Sequence, residues 1–306
     1  MRIVYLGTPD FAVLPLKKIL ESNKHTVVGV ITNKDKPVGR KLILTPPPVK
    51  QLALENNIPV FQYDRISKEG VEDLKNLNPD IMVTCAFGQI LSQEILDIAP
   101  KGVINIHASI LPKYRGASPI HYAILNGEKT TGITIMKTDI GIDTGDIILQ
   151  SEIDILDNET CGELFDRLSV LGSNLILDAL DLIESDSAKF IKQNDLDATI
   201  TKIIKKENAL IDFSASATDI VNKIRAFNPA PVAFCYLDNL PFKIYSASEV
   251  EKIGQVGEIL KADNELIIGC GKNAISLLKV QKAGGKPMNI SDFLRGNKFT
   301  VGGFFK

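Results

Sequence analysis

Tryptophan is absent from this 306-residue chain, which has only three histidines and four cysteines. His25, His107 and His121 lie far apart, as do Cys85, Cys161, Cys235 and Cys270, and none of them forms a metal-ligand spacing. The pattern therefore predicts no metal site and no disulfide framework, the cysteines reading as reduced packing residues. No apolar run approaches the roughly 20 residues a membrane-spanning helix needs. The opening Met1-Arg-Ile-Val-Tyr-Leu-Gly7 reads directly as a buried strand and leaves no room for a signal or transit peptide, so cytoplasmic residence with no membrane partner is the expectation. The turn after that strand, Gly7-Thr-Pro-Asp10, lacks the G-x-G-x-x-G pattern, which argues against a nicotinamide cofactor. Internal repeats and low-complexity tracts are missing as well.

What is present is ordinary enough to fold. Hydrophobic residues make up 44% of the chain and charged ones 24%, so a sizeable core is expected, and the length suits one large domain plus a smaller one. The net charge of −2 conceals a split. From residue 201 onward 15 Lys and Arg face 10 Asp and Glu, whereas the first 200 residues carry 20 and 27. A basic final third on an acidic body is what an appended polyanion-binding module looks like, although solvated lysines also keep proteins soluble.

Strand and helix patterns alternate through the first half. Arg2–Leu6, Thr26–Ile31, Asp80–Cys85 and Val103–Ile106 read as strands; Phe11–Glu21, Val49–Asn56, Val71–Leu77 and Glu94–Ile98 read as helices. That alternation predicts an α/β fold with a doubly wound, mostly parallel sheet. Thr32–Lys50 reads as one long polar loop and Cys161–Ile183 as a long amphipathic helix. After a polar stretch, Ser185–Asp197, short strands at Ala233–Leu237, Phe242–Ser246, Gly257–Ala262, Glu265–Gly269 and Ala274–Val280 suggest a small OB-like β-barrel. The resulting division is a catalytic domain over 1–188, a linker over 189–206 and an OB-like domain over 207–306.

The chemistry concentrates in the run Asn105-Ile-His107-Ala-Ser109-Ile-Leu-Pro-Lys-Tyr-Arg115-Gly-Ala-Ser-Pro119, read together with Asp143. Residues two apart on a strand share a face, so Asn105 and His107 would point together at a strand's C-terminal end, where ligands of doubly wound sheets sit. Asp143 arrives on a glycine-bearing loop, Asp139-Ile-Gly-Ile-Asp143-Thr-Gly-Asp146. A carboxylate orients a neighbouring imidazole, and an amide N–H can hold a developing oxyanion. The set suits transfer of a small acyl group. A histidine near a strand end is more often structural than catalytic; here Asn105 and Asp143 favour catalysis. His121 has no such partners and reads as structural on a helix starting near Pro119, while Asp139 and Asp146 read as turn residues.

These segments resemble the methionyl-tRNA formyltransferases, and the resemblance runs nearly end to end. It is carried by Gly7-Thr-Pro-Asp-Phe11, Lys36-Pro-Val-Gly-Arg40, Asn105-Ile-His107 with Ser109-Ile-Leu-Pro112, Asp143-Thr-Gly-Asp146, Ile224-Arg-Ala-Phe-Asn-Pro229 and Gln281-Lys-Ala-Gly-Gly-Lys-Pro-Met288. The family usually has Ser-Leu-Leu-Pro where this chain has Ser-Ile-Leu-Pro. The resemblance implies formyl transfer from 10-formyltetrahydrofolate to the α-amino group of methionine on initiator Met-tRNA, for translation initiation, with tetrahydrofolate released. It implies catalytic roles for Asn105, His107 and Asp143, and cofactor contacts from Ser109, Ile110, Leu111 and Pro112. Phe87 and Ile90 match the family's pterin-pocket segment. Arg40 and Lys41 would grip the tRNA acceptor end, with Lys34, Lys36 and Lys50 as electrostatic support. Arg225, Lys243, Lys272 and Lys286 are candidate tRNA contacts of the barrel, and the sequence does not select among them. Nothing in the sequence asks for an oligomer, so a monomer is expected.

Three other readings compete. A formyltransferase acting on a small amine, such as an amino-sugar nucleotide or glycinamide ribonucleotide, would share Asn105, His107 and Asp143 but not the long cationic loop. A catalytically silent folate- or RNA-binding protein would have no need to keep all three. A hydrolase releasing formate from the same cofactor would need no basic barrel.

Overall fold

Arg2–Gly7 forms strand β1, and its uninterrupted apolar character shows in its surroundings: Ile3, Val4, Tyr5 and Leu6 are all fully buried. Only a strand covered on both faces buries consecutive side chains in this way. In the computed structural model, which describes residues 1–39 and 41–305, the chain continues through β2 (Thr26–Thr32), β3 (Lys36–Val38), β4 (Ile43–Thr45), β5 (Val60–Gln62), β6 (Ile81–Cys85), β7 (Val103–His107), β8 (Arg115–Gly116), β9 (Thr130–Lys137), β10 (Ile147–Asp154) and β11 (Ile200–Thr201). Seven of these make one sheet in the order β10-β9-β7-β6-β1-β2-β5. Pairings from β5 to β7 are parallel and β9 runs antiparallel to β7, so the mostly parallel sheet expected from the sequence is what forms.

The helices between these strands are α1 (Val13–Ser22), α2 (Pro48–Glu55), α3 (Ile66–Glu69), α4 (Val71–Leu77), α5 (Gln93–Leu96), α6 (Pro119–Leu125) and α7 (Cys161–Glu184). From β1 the chain moves outward to β2 and β5, then returns to β1's other side with β6. That reversal opens a crevice at the strands' C-terminal ends, the place where such sheets bind ligands. α1 begins two residues later than its pattern suggested, because Asp10–Ala12 forms a 3₁₀ turn. The buried Tyr5 hydroxyl donates to the Ala12 carbonyl at 2.7 Å and fixes that turn against the sheet.

The stretch read as one long loop between β2 and α2 contains a small antiparallel hairpin, β3 with β4, pairing Lys36 to Thr45 and Val38 to Ile43. Three-residue strands with polar flanks give no periodicity to read. The β9 and β10 segments also went unassigned in the sequence. β9 buries six consecutive residues, Thr131–Met136, which hides any alternation.

The chain divides into two units, each described separately. One comprises Met1–Gly116, Thr131–Ile153 and Phe165–Thr201; the other draws together Ala117–Thr130, Asp154–Leu164 and the described residues from Lys202 onward. The second unit holds α6, α8 (Ala217–Ala226) and α9 (Ile290–Gly296) with strands β12 (Phe234–Leu237), β13 (Leu240–Val250), β14 (Ile259–Ala262), β15 (Leu266–Gly269), β16 (Ala274–Gln281) and β17 (Met288–Asn289). They form a six-stranded antiparallel, OB-like sheet in the order β12-β13-β16-β15-β14, with β17 on β16. An aromatic cluster fills it: the Phe242 ring lies 5.4 Å from Phe293 and 5.8 Å from Phe305. α8 starts at Ser216, whose hydroxyl accepts from Asp219 N–H at 3.1 Å. His121 sits on α6 with its ring 6.3 Å from Phe227, the structural placement its lack of partners suggested.

Candidate active site

Parallel pairing with β6 sets the register of β7, placing Thr84 opposite Asn105 and leaving His107 as the strand's last residue. Thr84 Oγ1 lies 2.8 Å from Asn105 Oδ1, and Asn105 Nδ2 points at Asp143 Oδ1, 3.4 Å away. A carboxylate can only accept, so it fixes which end of the amide faces it. Asn105 thereby presents its N–H donors, not its carbonyl, on the Asp143 side.

His107 is 6% exposed and held from both nitrogens. Nε2 lies 2.9 Å from the Tyr114 carbonyl and Nδ1 lies 3.5 Å from Asp143 Oδ2. The Tyr114 carbonyl can only accept, so the 2.9 Å contact places an N–H at Nε2. The Asp143 carboxylate takes its shortest bond, 2.7 Å, from the backbone N–H of Gly116. Asp143 itself adopts φ +53°, a left-handed conformation uncommon outside glycine, as do Ala86 (+46°) and Tyr114 (+62°). Such backbone persists only where surrounding bonds over-determine it, and it tends to cluster at functional sites. Asp139 is a turn residue: its Oδ1 accepts from Gly141 N–H at 3.1 Å and Thr144 Oγ1 at 2.6 Å.

The structure thus brings Asn105, His107 and Asp143 together. The segment after them is bound into the sheet. Ser109 is buried, its hydroxyl donating to the Lys113 carbonyl at 2.6 Å. Thr134 Oγ1 donates to the Ser109 carbonyl (2.7 Å) and accepts from Leu111 N–H (3.1 Å), while Gln150 Nε2 donates to the Leu111 carbonyl (2.9 Å). Leu111 is buried, and Ile110 and Pro112 follow the same path. Phe87 is buried, whereas Ile90 is 76% exposed. On the Asp143 loop Ile140 and Ile142 are exposed too, each at 65%. Cys85, at the end of β6, is no nucleophile: complete burial pushes its thiol up to about 12, and only the thiolate attacks.

The cationic candidates fare differently. Arg40 lies outside the described residues. Lys41 is exposed beside Leu42, Ile43 and Leu44, all more than 60% exposed. Two of the expected supporting lysines pair within the first unit, Lys50 partly buried and Lys34 at the surface. Lys50 is bonded to both oxygens of Asp35 at 2.9 Å, and Lys34 pairs with Asp64 at 2.5 Å. A lysine so engaged lends little charge to a phosphate. Arg225 is likewise spent inside the second unit, on the Glu159 carbonyl (3.0 Å) and Asn222 (3.3 Å), while Lys272 and Lys286 are exposed. His25, Asp181 and Glu184 bring ligand-type atoms within 4.8 Å of one another, but the Met1 ammonium already stands 3.0 Å from Glu184 and Lys24 2.6 Å from Asp181.

Sequence reasoning gave no role to Thr84 or Gln193, nor to Tyr114 and Gly116 within the run from Asn105 to Pro119; all four act on this site through backbone groups or across the sheet. Thr84 could have been found from strand register. The other three carry no local signal.

A doubly wound sheet gathers an amide, an imidazole and a carboxylate at its strand ends, a set suited to acyl transfer. The family model described as "Formyl transferase" matches residues 1–180, and that described as "Formyl transferase, C-terminal domain" matches residues 203–298. The fold is shared with the crystal structure of an N-formyltransferase from Helicobacter canadensis, determined with folinic acid and dTDP-3-aminofucose (TM-score 0.70, 24% identity, 92% of this chain and 98% of that one). Among curated relatives, the methionyl-tRNA formyltransferase of Agathobacter rectalis is 42% identical over 100% of this chain and 99% of its own length. That of Syntrophus aciditrophicus is 43% identical over 98% and 97%. The chain belongs to the methionyl-tRNA formyltransferase family.

Proposed function

We propose that this chain transfers the formyl group of 10-formyltetrahydrofolate to the α-amino group of methionine esterified to initiator tRNA. The observation that carries the reading is the convergence of Asn105, His107 and Asp143, with Asn105 Nδ2 at 3.4 Å and His107 Nδ1 at 3.5 Å from the one carboxylate.

The free amine attacks the formyl carbon and the carbonyl π pair moves to oxygen, giving a tetrahedral oxyanion. Asn105 Nδ2 donates to that oxygen, and the His107 ring stabilises it. Asp143 holds the His107 ring in place and takes up the proton lost from the attacking nitrogen. That proton passes to N10 of the folate as the C–N10 bond breaks, leaving formyl-methionyl-tRNA and tetrahydrofolate with no net change in protons. The pterin ring covers the exposed aliphatic surface of Ile90, Ile140 and Ile142, backed by Phe87 and by the Ser109–Pro112 segment. No metal is required.

Arg40 and Lys41 hold the tRNA acceptor end, and the basic excess of the C-terminal region follows the tRNA further. In this reading residues 1–188 are catalytic, 189–206 link and 207–306 bind tRNA. The protein works as a cytoplasmic monomer; among the described residues no helix is long and apolar enough to cross a membrane. The full-length likeness at 42% to relatives named for Met-tRNA, against 24% to an amino-sugar enzyme, favours tRNA over a small amine.

Formyl transfer with initiator and elongator Met-tRNA, run side by side, tests the reading. Strong preference for the initiator form supports it. Folate binding with no transfer to either tRNA would overturn it in favour of a small-molecule acceptor.

A further inference from the structure

Gln193 lies in a stretch whose polar sequence reads as a linker, yet it is only 6% exposed and every hydrogen-bonding site of its side-chain amide is used. Its Nε2 donates to the Asp143 carbonyl at 2.9 Å and to the Gly145 carbonyl at 2.7 Å. Its Oε1 accepts from Arg115 Nε at 3.0 Å and Nη2 at 2.9 Å. Arg115, itself 7% exposed, continues to Asp195 Oδ1 at 2.8 Å.

The same short segment also grips the other side of His107. Thr199 Oγ1 accepts from Tyr114 N–H at 2.7 Å, the Thr199 carbonyl accepts from Arg115 N–H at 2.8 Å, and Thr201 Oγ1 donates to the Arg115 carbonyl at 3.0 Å. The two acceptors facing the His107 ring, the Tyr114 carbonyl and the Asp143 carboxylate, therefore both belong to residues tied down by residues 193–201.

We infer that Gln193 is a positioning residue for the reaction: it holds the Asp143 loop in its left-handed turn, so that the carboxylate meets His107 and Asn105 in working geometry. The two donors matter most here. Asp143 stands at φ +53° with a glycine two residues later, and Gln193 bridges the two carbonyls that flank Thr144. The Arg115 fork fixes the amide's orientation, because guanidinium can only donate and so must face Oε1. The inference rests on the assignment of Asp143 to catalysis.

The test separates positioning from mere docking of the segment. Gln193→Glu keeps the acceptor for Arg115 but replaces both donors with carboxylate oxygen, so the segment stays docked while the Asp143 loop is released. Expected at neutral pH is a fall in kcat on the order of tenfold to a hundredfold, with KM for the formyl donor changed less than about threefold and a melting temperature lowered by less than in Gln193→Leu. Protonating the introduced carboxylate returns one donor, so relative activity should recover toward low pH. Gln193→Leu, which also strands Arg115, should lower kcat and the melting temperature together. In an Asp143→Asn background, Gln193→Glu should cost little more, since both act through the same group.

Unchanged kcat for a folded Gln193→Glu protein, alongside a crippled Asp143→Asn, would overturn the inference alone. Near-normal turnover of Asp143→Asn would overturn the catalytic assignment beneath it. Absence of transfer by the wild type would overturn the proposed function.

Discussion

The backbone N–H of Gly116 reaches Asp143 Oδ2 at 2.7 Å, closer than the 3.5 Å from that oxygen to His107 Nδ1. A backbone donor cannot rotate away, so the carboxylate is anchored by main chain and only then offered to the imidazole. Gly116 manages this at φ +97°, where an added Cβ would stand 2.7 Å from the Thr201 carbonyl oxygen. Gly116→Ala should therefore destabilise the protein by about 1–3 kcal/mol and lower turnover with it. Thermal melting and kcat measured on one preparation check this; two unchanged values would mean that the anchor is dispensable.

Asn105→Ala, His107→Ala and Asp143→Asn should each reduce turnover on the order of a hundredfold or more, the usual effect of removing a group that acts on developing charge. Far-ultraviolet circular dichroism should stay that of the wild type. Any of the three that turns over at near-normal rate drops out of the mechanism.

Thr84→Val swaps the hydroxyl for a methyl of the same shape and removes the 2.8 Å hydrogen bond to Asn105 Oδ1. Expected is roughly a tenfold loss in kcat, and a stability loss of about 1 kcal/mol, the typical net worth of one hydrogen bond. A lower melting point with unaltered kcat would show that Asp143 alone orients the amide.

Arg40→Ala and Lys41→Ala should raise KM for Met-tRNA and flatten its dependence on salt, by about 0.7–0.9 in the log–log slope for each phosphate that is no longer neutralised. Release of formate from the folate donor without tRNA should stay the same. Equal damage in both assays would reassign the loop to support of the active site.

Stability should fall at both ends of the pH range. Burial pushes the thiols of Cys85, Cys161 and Cys235 up to about 12 from an ordinary value near 9. The unfolded chain thus gives up those protons first, and stability declines as pH rises from about 9 toward 12. At the acid end, burial holds His121 below the usual histidine range, against the opposing bond to the Ala230 backbone. The unfolded chain takes up that proton as pH drops through about 6.5, so stability is lost there. Denaturant melts across the range test both limbs, and His121→Phe should make the acid limb shallower. An identical acid limb in that variant would exclude His121 as a source.

Much of the fold was readable because burial writes itself into periodicity. Ile3–Leu6 and Ile81–Cys85 are buried throughout because both faces are covered, and the amphipathic run from Cys161 forms the long helix it promised. The strands β9 and β10 and the hairpin of β3 with β4 were not readable. β9 is buried over Thr131–Met136 and hides any alternation, and the hairpin is too short to show one. At the site, Asn105 and His107 were legible as a pair from the two-residue repeat of a strand. Lys34 and Lys50 were not, since a lysine's partner across a fold leaves no mark near it: Asp64 and Gln62 are supplied by another strand and the loop after it.

By itself the sequence determined the parallel sheet, the OB-like C-terminal fold, and which amide, imidazole and carboxylate to watch, because side-chain type and local spacing set those things. Tertiary structure alone decided how the three meet. The Asn105 amide is turned by Asp143, the His107 ring is set between the Tyr114 carbonyl and that same carboxylate, and the Asp143 loop is tied by Gln193, fifty residues further along the chain. Those bonds run to backbone groups and to residues distant in sequence. Backbone donors are common to nearly every residue, so only the folded path of the chain selects the ones that matter.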